Sequence, residues 1–189
     1  MITVMKGGVE MYVVAIAAVM AGGKTTVANE LKRRFPTSQA LHFDDYSFDG
    51  EVDDFHQWVQ DGADYSVWNL EPLERDIIRI KDSGKCELLI LDYPFAYCHP
   101  LINKYIDLAI FIDTPLDIAL ARRVLRDMTE STGQEIRSDL RFYLEYARIA
   151  YLQMLKDIKP SSDLVVDGAL PLDVIVENIT EKIRKGKVK

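Results

Sequence analysis

Residues 13–26 run Val13-Val14-Ala15-Ile16-Ala17-Ala18-Val19-Met20-Ala21-Gly22-Gly23-Lys24-Thr25-Thr26. An apolar run rich in β-branched residues is the pattern of a strand buried on both faces. It gives way to Ala-Gly-Gly, then Lys-Thr-Thr, then Val27-Ala28-Asn29-Glu30-Leu31-Lys32, whose apolar residues are spaced for a helix. Strand, small-residue turn, Lys-Thr and helix together are the context of a P-loop. Without side chains in the way, the backbone N–H groups around Gly22 and Gly23 can point at phosphate oxygens. The helix adds its positive end. The Lys24 ammonium can reach outer phosphates, and the Thr25 hydroxyl can coordinate Mg²⁺. The candidate phosphate-binding residues are thus Ala21, Gly22, Gly23, Lys24, Thr25 and Thr26. The full pattern is G-x-x-x-x-G-K-[ST], and Ala18 stands at its first glycine, which Ala can fill if φ is below zero. The plainer alternative is a strand, an ordinary turn and a lysine-rich helix start.

Downstream, a helix from about Thr25 to Phe35 is stopped by Pro36. Ala40-Leu41-His42-Phe43 reads as a second strand, ending at Asp44-Asp45. In a parallel α/β sheet, ligands sit beyond the carboxyl ends of strands. Asp44 can there accept a proton from an attacking hydroxyl, and Asp45 can help hold Mg²⁺ through water. A solvated acidic turn is the alternative. From about 48 to 72 the chain becomes loop-like, acidic and aromatic, with Asp53, Asp54, His56, Trp58, Asp61, Asp64, Tyr65 and Trp68. It is expected as a substrate-side insertion suited to a polar, planar or sugar-like compound. For Trp58 and Trp68 singly, closure of a small satellite core is the favoured reading.

Pro72 to Ser83 forms a helix stopped by Gly84. Glu87-Leu88-Leu89-Ile90-Leu91-Asp92 is a buried strand that delivers an acid at the phosphate end, where Asp92 can hold Mg²⁺. His99 reads as structural. Asp107 to Asp113 is a further strand, and Thr114-Pro115 opens a helix with Thr114 as its cap. That helix carries Arg122, Arg123 and Arg126, spaced to share a face. An arginine cluster before Thr129-Glu130-Ser131-Thr132-Gly133 suits a lid, over about 126–138, that brings guanidinium groups onto phosphates. A solvated face paired with Asp117 and Asp127 is the alternative for one or two of them. Ile136 to about Lys159 is expected as one helix with Leu140, Leu144, Ala147, Tyr151 and Leu155 in a stripe, ended by Pro160. Asp163 to Gly168 is the last strand, and a helix from Pro171 to about Ile183 precedes a basic, frayed tail. Alternating strands and helices imply a three-layer α/β fold, a parallel sheet of about five strands covered on both faces.

The 189 residues suit a single domain, taken as 12–189 after an N-terminal extension over 1–11. A net charge of -7 and a pI near 5.0 argue against a general nucleic-acid binder. Cys86 and Cys98 are too few for a disulfide framework and lack metal spacing, which fits a reducing, cytoplasmic setting. No apolar run approaches the ~20 residues of a membrane span.

Four segments in order resemble the uridine kinase-like family of P-loop kinases, whose relatives include nicotinamide riboside kinases and phosphoribulokinases. Ile16 to Asn29 is similar to the family's P-loop and first helix. Phe43-Asp44-Asp45-Tyr46 is similar to its Q-D-D-F or Q-D-S-F segment. Ile112-Asp113-Thr114-Pro115-Leu116-Asp117 with Ala121-Arg122-Arg123-Val124-Leu125-Arg126-Asp127 resembles its F-V-D-t-p-x-D…R-R-x-x-R-D segment, the most specific mark. Asp163 to Gly168 is similar to the strand before its adenine-contacting turn. The resemblance implies transfer of the ATP γ-phosphoryl group to a small-molecule hydroxyl of a nucleoside or related ribosyl compound. It implies Asp44 as the hydroxyl-activating base, Lys24 and Thr25 on phosphate and Mg²⁺, and Arg122, Arg123 and Arg126 on the lid. The sequence departs from the family at Ala18, at Asp92-Tyr93 where Glu-Gly is usual, and at Met128-Thr129-Glu130-Ser131-Thr132-Gly133 where uridine kinases typically carry Arg-Gly-Arg. An ATP-binding regulatory module without transfer chemistry is the rival reading. A nucleoside-monophosphate kinase is weaker, because Glu51 to Leu70 holds no Arg or Lys for a second phosphate. Homo-oligomerisation stays open.

Overall fold

A computed structural model describes residues 10–50 and 52–186. Most of the expected N-terminal extension, and the last three residues of the basic tail, lie outside them. The elements run β1 (Tyr12–Ala17), α1 (Lys24–Arg34), β2 (Ser38–His42), α2 (Phe55–Gln60), α3 (Glu71–Ser83), β3 (Leu88–Asp92), β4 (Leu108–Asp113), α4 (Leu116–Asp127), α5 (Gly133–Phe142), α6 (Arg148–Ser161), β5 (Leu164–Asp167) and α7 (Leu172–Gly186). All four strand pairings are parallel, in the order β2-β3-β1-β4-β5, so the expected five-stranded sheet is the one observed.

Burial follows the pleat. Val14 and Ile16 of β1, Leu88 and Ile90 of β3, and Ile110 and Ile112 of β4 face α1 and α7, which supply Val27, Leu31, Val176 and Ile179. Val13, Ala15 and Ala17, Leu89 and Leu91, and Ala109 and Phe111 face the other way, onto Leu73 and Ile77 of α3 and Ile158 of α6. Each fully buried Leu or Ile contributes about 1.5–3 kcal/mol relative to exposure. This second layer is where the aromatics of the insertion pack. Trp58, Tyr65 and Trp68 join the main core through Phe95 rather than closing a satellite of their own.

The connection leaving β1 runs toward β2 and the one leaving β4 runs toward β5, so the topology divides between β1 and β4. A crevice at such a switch point is where open α/β sheets bind ligands. Thr114 stitches it. The residue capping α4 is Pro115, so Thr114 is not the helix cap the sequence suggested. Its hydroxyl is buried and donates to the carbonyl of Gly22 at 2.8 Å, tying the end of β4 to the loop after β1. Gly168, after β5, packs directly on it: a Cβ on Gly168 would lie 1.9 Å from the Thr114 Oγ1.

Two expectations about helices are corrected. The helix expected over 136–159 is α5 and α6 joined by a π turn, Tyr143–Ala147. The wider turn advances the face by about one residue, so the stripe drawn at 3.6-residue spacing breaks. Leu144 is left 68% exposed, and Tyr143 takes the buried position at 6%. Pro160 lies within the last turn of α6 rather than after it, and α7 continues through Arg184 to Gly186 instead of fraying at Arg184. Among the described residues no helix is long and apolar enough to cross a membrane.

His99 is a buried brace. Its Nε2–H donates to the Trp68 carbonyl at 2.9 Å and its Nδ1 accepts the Leu101 N–H at 3.2 Å. Burial holds its pKa below the usual 6.5, against a smaller upward pull from the Trp68 hydrogen bond and Asp64. The native state therefore stays neutral while the unfolded chain takes up a proton, and stability falls as pH drops through about 6.5. Urea titrations at about pH 7.5 and about pH 5.5 are expected to show this loss, reduced in His99→Gln. Gly168→Ala is expected to cost about 1–3 kcal/mol in the same assay, because the added methyl must displace Thr114.

Candidate active site

The crevice opens into a cavity of about 870 Å³ whose walls come from parts of the chain far apart in sequence. The floor is the loop after β1. Ala21, Gly22, Gly23, Lys24, Thr25 and Thr26 all line it. Ala21 and Gly23 take positive φ, at 56° and 102°, which turns successive N–H groups inward. Ala21 does this at a cost of about 1–2 kcal/mol, since a left-handed conformation crowds its Cβ. Ala18 is not among the residues of positive φ, so its methyl group is tolerated there. That methyl fills the space beside Gly22, where an added Cβ would meet it at 2.8 Å. Glycine at 22 thus accommodates alanine at 18. Gly23 caps α1 without any side-chain acceptor, leaving the first N–H groups of the helix to a ligand.

Beneath the loop lies Asp92, only 3% exposed, at the end of β3. Its Oδ2 accepts the Thr25 hydroxyl at 2.6 Å and the His42 Nδ1–H at 3.0 Å. Its Oδ1 is buried without a hydrogen-bond partner, 3.9 Å from the Lys24 ammonium. A buried carboxylate oxygen left open beside a threonine hydroxyl fits the outer surroundings of a divalent cation arriving with a nucleotide. No group of three His, Cys, Asp or Glu among the described residues gathers to hold a metal by itself. His42 was not singled out from the sequence. Its signal was present, a polar residue closing a strand just before two acids, but only sheet register sets it opposite Asp92.

Asp44 and Asp45 follow β2 in a 3-10 turn, and both are exposed. Asp44 lines the cavity; Asp45 does not. On the opposite wall α4 presents Arg122, Arg123 and Arg126. Each has a protein partner. Arg122 donates through both terminal nitrogens to the Gly168 carbonyl at 3.2 Å. Arg123 pairs with Asp139 of α5 and lies over the Tyr143 ring, with its Nε buried and unpartnered. Arg126 pairs with Asp127 at 2.6 Å. That bond, with a lesser contribution from the Asp44 charge across the cavity, holds the Arg126 guanidinium above its usual pKa.

The remaining wall is aromatic. Phe43, Phe55, Trp58, Tyr65, Trp68 and Phe95 line one side, and Ala150, Tyr151 and Met154 of α6 the other. Among the described residues, the acids of the insertion do not reach it. Asp54 caps α2 by accepting the N–H groups of His56 and Gln57, and Asp64 accepts the Ser66 N–H. The contribution of α6 was not foreseen, because the π turn that orients it has no signature in the hydrophobic pattern.

The model of the Phosphoribulokinase / Uridine kinase family matches residues 82–173, from the end of α3 through the start of α7. A chloroplastic uridine/cytidine kinase of Arabidopsis thaliana is 23% identical over 91% of the chain. The chain spans only 42% of that protein's length. A uridine kinase of Clostridium botulinum is also 23% identical over 91% of the chain, which here spans 97% of the relative. Among solved structures, one described as a fructose transport system kinase from Silicibacter superposes with a TM-score of 0.51 at 15% identity, covering 82% of this chain and 89% of that one. At that identity the likeness speaks for the fold alone. The chain is thus similar to the Phosphoribulokinase / Uridine kinase family over residues 82–173, and to uridine kinases at low identity over 91% of its length.

Proposed function

We propose that the chain is a small-molecule kinase that moves the γ-phosphoryl group of ATP onto a hydroxyl. The observation that carries this reading is the convergence on one cavity of the β1–α1 loop, the Thr25–Asp92 pair beneath it, and Asp44 facing Arg126. Phosphoryl transfer asks little covalent chemistry of a protein, so positioning and charge neutralisation dominate. The N–H groups of residues 21–26 and the Lys24 ammonium would hold the β- and γ-phosphates. Magnesium, bound with the nucleotide, would draw charge from the same oxygens. Thr25 and Asp92 would hold it, with Asp92 acting through water because its carboxylate lies under the loop. Asp44 would orient the acceptor hydroxyl and take its proton. Arg122, Arg123 and Arg126 would close on the phosphates from α4, with 126–138 as the lid. In that motion Arg126 exchanges Asp127 for a phosphate oxygen. The relatives' names make a nucleoside or ribosyl hydroxyl the first acceptor to offer.

One observation favours the rival, an ATP-binding module without transfer chemistry: all three arginines are engaged within the protein. ADP release from Mg–ATP, measured against a panel of hydroxyl compounds, separates the two. A kinase shows one acceptor class far above background, whereas the module binds ATP and releases no ADP with any. Asp44→Asn is expected to lower turnover by about 10²–10⁴-fold, the usual worth of a general base, while ATP binding by thermal shift persists. Undiminished turnover in that variant removes Asp44 from the mechanism. Lys24→Met should behave oppositely, losing the thermal shift itself, because the ammonium is a binding group.

A further inference from the structure

The sequence suggested that acids and aromatics of the insertion would jointly face the substrate, but the cavity divides them. Among the described residues Asp44 is the one carboxylate on the wall. Asp54 and Asp64 are committed to backbone N–H groups, and Asp61 accepts the Gln57 side-chain amide at 2.8 Å. Most polar ends of the rings are committed as well, the Trp68 indole N–H being the exception. The Trp58 indole N–H donates to the Asp64 carbonyl at 3.0 Å, the Tyr65 hydroxyl to Asp157 at 3.4 Å, and the Tyr151 hydroxyl faces the Met20 sulfur at 3.5 Å. What these side chains offer the cavity is ring surface. Trp58 meets Tyr65 and Trp68 edge-on at 5.1 and 5.5 Å, and Trp68 meets Phe95 at 4.8 Å. The rings therefore brace one another and are preformed for a flat guest.

With Asp44 given to the reacting hydroxyl, a vicinal diol desolvated against this wall would find one donor, the Trp68 indole N–H, and leave its remaining hydrogen bonds unmade, which is costly. We infer that the acceptor is an alcohol whose body beyond the reacting hydroxyl is a flat apolar ring, held by aromatic contact, and that a ribose diol is not gripped. This rests on the kinase reading and narrows its acceptor. It also sets the form of the selectivity. A site built to hydrogen-bond a hydroxyl rejects the analogue lacking it by about 10⁴-fold or more, whereas a site without such partners discriminates weakly.

Trp58 and Trp68 are the two tryptophans of the chain, and both line this wall, so their emission reports its occupancy apart from turnover. The test titrates the intact protein with 2-phenylethanol, then compares kcat/KM for 2-phenylethanol, uridine and 2′-deoxyuridine with Mg–ATP. A saturable emission change is expected. With it should come a kcat/KM for the aryl alcohol at least about tenfold above uridine, and values for uridine and 2′-deoxyuridine within about threefold of each other. Phe55→Gln, on the half-buried edge of the same wall, should weaken binding of the aryl alcohol at least about fivefold with far-ultraviolet dichroism unchanged. Emission unmoved by 2-phenylethanol overturns the inference. So does turnover of uridine at least about a hundredfold above 2′-deoxyuridine, which would leave the kinase reading standing. Saturable binding with no ADP release from any of the three upholds the class of the pocket and overturns the kinase reading.

Discussion

A carboxylate buried at the end of a central strand is the constraint around which the site is arranged. Asp92 is drawn under the surface because β3 is covered on both sides, by β1 and by β2. An isolated charge there would cost several kcal/mol. The fold answers with a hydroxyl from α1, an imidazole from β2 and, farther off, the Lys24 ammonium. These groups are distant along the chain and meet only because the three strands are in parallel register, His42 opposite Asp92 and Asp92 opposite Ile16. The same compensation fixes the Thr25 side chain and with it the start of α1. A structural need, pairing a buried acid, is met by the same bond that fixes the Thr25 hydroxyl at the cavity floor.

A second tie works across the sheet. Thr114 holds Gly22 from the β4 side, and Gly168 leaves room for it. The loop after β1 is thereby held from both flanks, by Asp92 through Thr25 and by Thr114 through Gly22. This rigidity accommodates positive φ at Ala21, a conformation that surrounding structure must over-determine for a residue with a Cβ. On the far wall the order is looser. Arg126 is paired with its own neighbour Asp127 on the surface, an arrangement of small net stability that a phosphate can replace. Arg123 is more firmly placed, between Asp139 and the Tyr143 ring, so α4 and α5 are coupled through it.

The parts of the molecule that sequence revealed share one property: their signal is local. The run from Val13 to Thr26 carries strand, turn and helix within a few residues, and the runs ending at Asp92 and Asp113 announce strands by unbroken apolar character closed by an acid. Gly84 and Pro72 bound α3 by their own backbone limits. The features that escaped depend on partners elsewhere. Thr114 looks like a cap because Thr-Pro is a common way into a helix, yet a carbonyl 92 residues earlier in the chain claims its hydroxyl. The π turn at Tyr143–Ala147 is invisible in a periodicity that assumes one turn width. It is supported by the tertiary contacts of Tyr143 with Arg123 and Tyr151.

By itself, the sequence determined the layered α/β fold, the phosphate-binding loop and the identity of the acids at the strand ends, because hydrophobic period and glycine placement act over short range. Which of those acids face the cavity is set by packing. Asp44 and Asp45 are adjacent in sequence and alike in chemistry, and the 3-10 turn aims one inward. Asp54, Asp61 and Asp64 of the insertion carry as much charge as any other carboxylate, but each accepts a nearby N–H, and the insertion presents mainly ring surface to the cavity. Direction and prior commitment of a side chain are properties of three-dimensional packing, and residue spacing does not encode them.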